Sequence, residues 1–299
     1  MSRPSPFLVL VRHLRESVLY HTGARRLQFA RNRRLLAAAV AADRPHIGRV
    51  PGAGVRLLID PQMYMVRAYT QELFELPVVT FLRDWLRKGD VFVDVGANVG
   101  LFTVLGACCV GPHGRVIAFE PGRFVSDLLR RNCEINGLHW VQCEQLALSD
   151  RTGSLELHEG APGYDAFSSL GRVVHGSAVG GEFSTVSVPV ACGDDWWAAH
   201  GKGRIRLMKI DVEGAELDVI RGFRELLASG NVEALLVEIT DEMAQACGHT
   251  ARAVWEALLE LGYDWWRLAG YGALEPLGEF DPRETMFLAL PRRGNGLSH

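Results

Sequence analysis

Val91-Phe92-Val93-Asp94-Val95-Gly96-Ala97-Asn98-Val99-Gly100 runs from an apolar stretch into a glycine-bearing turn, and an apolar segment of helical length follows from Leu101. A short run that is apolar on both faces reads as a strand inside a parallel sheet. Glycines between such a strand and a helix let the backbone approach a ligand closely and present helix N–H groups at its edge. The first pattern to test is the dinucleotide fingerprint G-x-G-x-x-G. It fails, because Asn98 stands where the second glycine belongs and denies a pyrophosphate its close approach.

The residues outward from this stretch repeat its rhythm. Strands are expected over Val91–Val95 and over 115–120, 141–148, 206–212, 232–239, 263–268 and 285–290, with helices at 99–109, 123–136, 215–229 and 250–262. Apolar strands alternating with helices specify a doubly wound, mostly parallel α/β sheet, here of seven strands. No helix separates the last two strands, so the final one is expected to enter antiparallel. Upstream, 55–60 reads as a short strand and 72–86 as a helix. The glycine-rich segment 159–184 has no periodicity and reads as a functional lid. Two helices, over 6–20 and 24–42, form a basic appendage that ends at a Pro/Gly cluster. The expected domains are therefore 1–54, 55–290 and a flexible tail over 291–299.

Composition excludes several classes. The chain has 299 residues, 48% of them hydrophobic and 22% charged, so it can bury a sizeable core. Its longest apolar runs reach about nine residues, far short of a membrane span, and no export signal is read, which leads to an expected cytoplasmic location. The six cysteines form no CxxC pair, as in a reduced protein without a disulfide framework. The net charge of −3 divides unevenly. Ten arginines and two acids give residues 1–50 a charge of +8, leaving −11 on the remainder. Such an arm suits either an anionic partner or its own acidic body. The acidic body argues against a nucleic-acid partner, and the N-terminal helices are a candidate homodimer element.

The chemistry-bearing residues fall where strands of this sheet would end. A ligand without a pyrophosphate, but with an amino-acid ammonium to be met by Asp94, suits the turn of Gly96, Asn98 and Gly100; S-adenosylmethionine is such a ligand. Glu120, ending the next strand, is placed to take two ribose hydroxyls. Ser149 and Asp150, at the end of the third expected strand, are candidates for the adenine. Asp211 and Glu213 close the fourth strand and Glu238 the fifth, all on the rim where open α/β sheets bind ligands. Asp211 is the first candidate for a general base or acceptor orienter, Glu213 is a second candidate, and His249 is the histidine after the fifth strand that reaches toward the crevice. Hard oxygen ligands from Asp211, Glu213 and Glu238 would suit Mg²⁺ if the reaction used a metal.

Together the segments Asp94-Val95-Gly96-Ala97-Asn98, Gly114-Arg115-Val116-Ile117-Ala118-Phe119-Glu120-Pro121, Ala147-Leu148-Ser149-Asp150, Ser168-Ser169-Leu170 and Lys209-Ile210-Asp211-Val212-Glu213-Gly214-Ala215-Glu216 resemble the FkbM family of S-adenosylmethionine-dependent methyltransferases, over about 70–290. The resemblance implies a class I methyltransferase fold and O-methylation of a hydroxyl on a sugar, polyketide or similar small molecule. It also implies a cofactor contact from Glu75 and acceptor contacts from Ser168 and Ser169. Two segments depart from the family pattern: Phe74-Glu75-Leu76-Pro77 and Cys192-Gly193-Asp194-Asp195. A nucleic-acid methyltransferase using the arginine-rich arm, and a non-catalytic S-adenosylmethionine-binding protein, are the alternatives.

Overall fold

The computed structural model describes residues 34, 46–49, 55–59, 76–160, 183–269 and 273–292. The expected N-terminal helices fall outside these residues apart from Arg34, as do their homodimer role, Glu75, Ser168, Ser169 and the tail 293–299.

The hairpin strands β1 (His46–Arg49) and β2 (Arg56–Ile59) precede helix α1 (Leu76–Trp85). The alternating unit then runs β3 (Val91–Val95), α2 (Leu101–Val110), β4 (Arg115–Phe119), α3 (Arg123–Ile135) and β5 (Val141–Glu144). An accessory unit follows: β6 (Ala147–Ser149), β7 (Gly153–Gly160), β8 (Phe183–Cys192) and α4 (Gly193–His200). The chain re-enters the main sheet with β9 (Leu207–Ile210), α5 (Glu216–Gly222), α6 (Arg224–Ala228) and β10 (Leu235–Glu238). It ends with α7 (Asp241–Ala246), α8 (Ala251–Glu260), β11 (Tyr263–Ala269), β12 (Ala273–Leu277) and β13 (Met286–Pro291).

The central sheet has the order β12-β11-β13-β10-β9-β3-β4-β5. Its strands β10, β9, β3, β4 and β5 are mutually parallel. The last strand, β13, inserts antiparallel between β10 and β11, as the missing crossover helix requires. The sheet is thus the expected doubly wound one, with eight strands instead of seven because β12 adds a hairpin at the edge. Alternation along each strand loads both faces. Phe92, Val116, Leu207 and Leu236 pack on the face that carries α1, α2 and α3. Val93, Ile117, Met208 and Val237 pack on the face of α5, α6 and α8.

Two sequence readings need correction. The stretch 141–148 is not one strand: the chain leaves the central sheet after Glu144, and Ala147–Ser149 pairs parallel with β8. Nor is 159–184 irregular throughout, because Glu159 and Gly160 pair with Ser184 and Phe183 in the β7–β8 ladder. The period-two residues Leu155, Leu157, Val186, Val188 and Val190 bury one face of that ladder as a small third core.

Side-chain amides and caps fasten these units. Asn136, capping the C-terminus of α3, exchanges hydrogen bonds with both backbone groups of Arg56, and Asn132 accepts one from Leu58 N at 2.7 Å. Asn132 also donates to Val99 O at 2.7 Å, so one buried amide ties β2 to the glycine turn. Asp194 accepts from Glu225 N and Leu226 N, at 2.7 and 2.9 Å, satisfying the free donors that open α6. Asp194→Ala is expected to lower stability by about 1–2 kcal/mol, with no change in ligand affinity at the crevice. Urea denaturation of the two proteins beside a binding titration checks both halves.

Candidate active site

Strand register builds the site. Val95 pairs with both Phe119 and Ile210, and Ile210 pairs with Val237. The residues that come next, Gly96, Glu120, Asp211 and Glu238, therefore stand in one row along the carboxyl edge. From β3 the chain winds outward through β4 and β5, then returns to β9 on the other side of β3. The crevice between Gly96 and Asp211 is thus a topological switch point, where open sheets of this kind hold ligands.

The glycine turn is packed tightly. Gly96 has φ +78°, and a Cβ there would lie 1.7 Å from the Asp211 carbonyl oxygen. Asp211 N in turn donates to Val95 O at 3.0 Å. Asn98 occupies the left-handed region at φ 49°, where asparagine is tolerated better than most residues, so it replaces the missing glycine conformationally. Its backbone N–H donates to Glu120 Oε2 at 2.9 Å, while Gly122 N donates to Glu120 Oε1 at the same distance. Each carboxylate oxygen of Glu120 is fixed by one backbone donor and keeps acceptor capacity for a hydroxyl. Burial, which outweighs those two hydrogen bonds, pushes the Glu120 pKa up to about 7.

Asp94 is placed differently from its expected role. It is fully buried on the α2 side of β3, with Oδ2 accepting from Thr103 Oγ1 at 2.5 Å. Its Oδ1 has no hydrogen-bond partner and lies 3.9 Å from Lys209 Nζ. The ammonium that Asp94 was expected to meet on a ligand is supplied internally, by Lys209 of the neighbouring strand. Burial raises the Asp94 pKa, against the pull of Lys209 and Thr103. Asp94 supports the turn from beneath.

On the rim, Lys209 Nζ lies 2.6 Å from Asp211 Oδ2. Burial works to raise the Asp211 pKa, but the Lys209 ammonium and hydrogen bonds from Glu238 and Lys209 outweigh it and hold the group below its ordinary value. Glu213 goes the other way: burial first, then repulsion from Asp211 and Glu216, pushes its pKa well above the usual range. Glu213 sits at φ 53°, followed by Gly214 at φ +106°, where a Cβ would be 2.3 Å from the Met243 carbonyl oxygen. Glu216, 3% exposed, locks this turn by accepting from Val212 N and Gly214 N, each at 3.1 Å.

The donor atoms of Asp211, Glu213 and Glu238 lie within 4.8 Å of one another. A divalent cation needs these carboxylates ionised and open. Here Asp211 already has the Lys209 ammonium 2.6 Å from one oxygen. The cluster thus already holds one cation, the Lys209 ammonium, which competes with a divalent ion for Asp211.

The other expected site residues scatter. Ser149 is buried, and its carbonyl oxygen packs against Gly222 at the end of α5 remote from Glu216. Asp150 pairs with Arg151 at 3.3 Å. Neither ends β5; that position belongs to Glu144, whose carbonyl accepts from Glu120 N. The charged groups acting on the His249 ring are Asp218 and Arg221, not the rim acids, and burial lowers its pKa. Trp196 packs edge-on against Phe119 and Trp265 stacks on Trp255, so both serve the core. Sequence reading gave Lys209 no role, although a lysine inside the apolar Leu207–Ile210 strand, two residues from Asp211, was the available signal.

Burial raises the Glu216 pKa from 4.5 to about 7. A carboxyl whose folded pKa is raised binds its proton more tightly in the folded state. That contribution is complete below the unfolded pKa and is lost as pH climbs toward 7. The stability of the wild type is therefore expected to fall relative to Glu216→Gln by about 3 kcal/mol between pH 4.5 and pH 7, read from denaturant midpoints across that range.

Comparison with known proteins agrees with this geometry. The family model described as the methyltransferase FkbM domain matches residues 94–265. Methyltransferase sdnD of Sordaria araneosa is 31% identical over 163 residues, covering 47% of this chain and 62% of that protein. The 2-O-methyltransferase NoeI of Sinorhizobium fredii is 30% identical over 151 residues, covering 48% and 61%. This chain thus spans about three-fifths of the length of either relative. The hexuronic acid methyltransferase AglP of Haloferax volcanii is 26% identical over 213 residues, covering 70% and 81%. With its signature strands, glycine turn and acidic rim all inside the matched segment, the chain belongs to the methyltransferase FkbM domain family.

Proposed function

We propose that this chain is an S-adenosylmethionine-dependent O-methyltransferase acting on a hydroxyl of a sugar or related natural-product small molecule. The observation that carries the reading is the in-register row Gly96–Glu120–Asp211–Glu238 at the switch point. It sets the Glu120 carboxylate and the glycine turn beside the acidic residues Asp211 and Glu238. The family supports the transfer chemistry, and relatives named as a 2-O-methyltransferase and a hexuronic acid methyltransferase support a sugar hydroxyl as acceptor.

The cofactor's contribution is an electrophilic methyl, whose bond to sulfur breaks as the acceptor oxygen bonds to carbon, leaving a neutral thioether. The chain's own residues do the rest. Glu120, held from both sides by backbone N–H groups, accepts a ribose hydroxyl and fixes the nucleoside. Gly96 lets the turn pack directly against the Asp211 carbonyl, where any side chain would collide. Asp211 stays ionised beside Lys209, which suits it to accept a hydrogen bond from an acceptor hydroxyl and orient it. A general base works best with a pKa near the working pH, and Glu213, raised by burial and by its acidic neighbours, meets that requirement better than Asp211. Glu213 therefore takes the hydroxyl proton as the new O–C bond forms.

Methyl transfer from deuterated S-adenosylmethionine to a panel of uronic acids and other glycosides, with and without EDTA, tests the reading. We expect O-methyl products whose yield EDTA leaves unchanged. Asp211→Asn should lower kcat by about 10²-fold or more. Activity of the wild type should fall as pH drops through the raised Glu213 pKa, because the base must be ionised, and Glu213→Gln should abolish that acid limb. Cofactor binding without transfer to any hydroxyl, or full activity in Asp211→Asn, would contradict it.

A further inference from the structure

Glu159 is the second-last residue of β7, paired with Ser184 across the accessory ladder, and so belongs to a different sheet from Glu120. Its side chain nevertheless reaches the same spot. A Cβ built on Gly122 would lie 3.1 Å from Glu120 Oε1 and 3.2 Å from Glu159 Oε1, which puts the two oxygens no more than about 6 Å apart. Glu159 Oε1 is buried and has no hydrogen-bond partner. The two acids feel each other, since Glu159 is among the groups that raise the Glu120 pKa. No arginine or lysine forms an ion pair with either of them among the described residues. A buried carboxylate oxygen without a donor is costly, and native proteins rarely leave such a group without a purpose.

The missing donor must be neutral or cationic, must reach both oxygens, and must fit beside Gly122, where a Cβ would already sit only 3.1 and 3.2 Å from them. Two hydrogen bonds of about 2.7 Å each let one vicinal diol span that gap. We propose that Glu159 is a second carboxylate of the nucleoside site, contributed by the accessory sheet, and that it accepts one ribose hydroxyl while Glu120 accepts the other. This rests on the crevice being the adenosyl site inferred above. The β6–β8–β7 sheet thereby closes over the ribose from the side opposite the glycine turn and makes binding sensitive to both hydroxyls of the sugar.

The test is a calorimetric titration of the full chain with S-adenosylhomocysteine, adenosine, 2′-deoxyadenosine and 3′-deoxyadenosine, for wild type, Glu159→Gln and Glu159→Ala. Glu159→Ala should weaken S-adenosylhomocysteine and adenosine by roughly ten-fold or more. Loss of one particular hydroxyl should cost the wild type about as much and cost Glu159→Ala almost nothing further. Glu159→Gln, which keeps an acceptor oxygen, should fall between the two and serves if the alanine variant does not fold. Equal losses from the deoxy ligands in wild type and variant would show that Glu159 only braces the hairpin, and would overturn the proposal. Wild-type affinity in Glu159→Ala would overturn it alone, leaving the adenosyl site standing. Failure of the wild type to bind S-adenosylhomocysteine would overturn both.

Discussion

Lys209 Nζ lies inside the protein between two carboxylates of different strands, 2.6 Å from Asp211 and 3.9 Å from Asp94, with the Phe102 ring 5.2 Å away. Asp94 and Lys209 are register partners, so their side chains leave the sheet on the same face, beneath α2. Without that ammonium, Asp94 and Asp211 would be two acids in a desolvated space, a loss that typically costs about 3–5 kcal/mol. The ion pairs therefore constrain the edge of the sheet more than they stabilise the fold. They fix Asp211 against β3, which in turn sets the Asp211 carbonyl beneath Gly96 and fixes the width of the crevice.

From that constraint follows a division between acids that look alike in the sequence. Asp94 supports the glycine turn from below, Glu216 ties down the turn after β9, and neither opens to the crevice. Glu120 is turned toward it by two backbone donors. Asp211 and Glu213, two residues apart, have their proton affinities driven in opposite directions, one by an adjacent ammonium and the other by burial among acids. Such separation lets neighbouring carboxyls serve as an orienter and a proton acceptor at one pH.

The central sheet was legible because its strands are apolar on both faces and its helices fill the gaps between them, so the periodicity changes wherever the element changes. The rim was legible too, since each carboxylate directly follows an apolar run. Where Asp94 points was not: it depends on the register of β3 against β9, strands more than a hundred residues apart. The end of the third strand was misplaced for a related reason, because 141–148 is apolar enough to read as one strand and nothing local marks the exit after Glu144. The accessory hairpin did carry a signal, the period-two valines 186, 188 and 190. The glycines and polar residues around them masked it.

The central claim is that the switch-point crevice holds an adenosyl sulfonium and not a dinucleotide. A calorimetric titration of the wild type and Gly96→Ala with S-adenosylmethionine, and separately with NAD, tests it most directly. Micromolar binding of S-adenosylmethionine to the wild type is expected, with none of NAD and loss of the former in Gly96→Ala, whose added methyl meets the Asp211 carbonyl oxygen. Binding of NAD, or unchanged S-adenosylmethionine affinity in a folded Gly96→Ala protein, would contradict it.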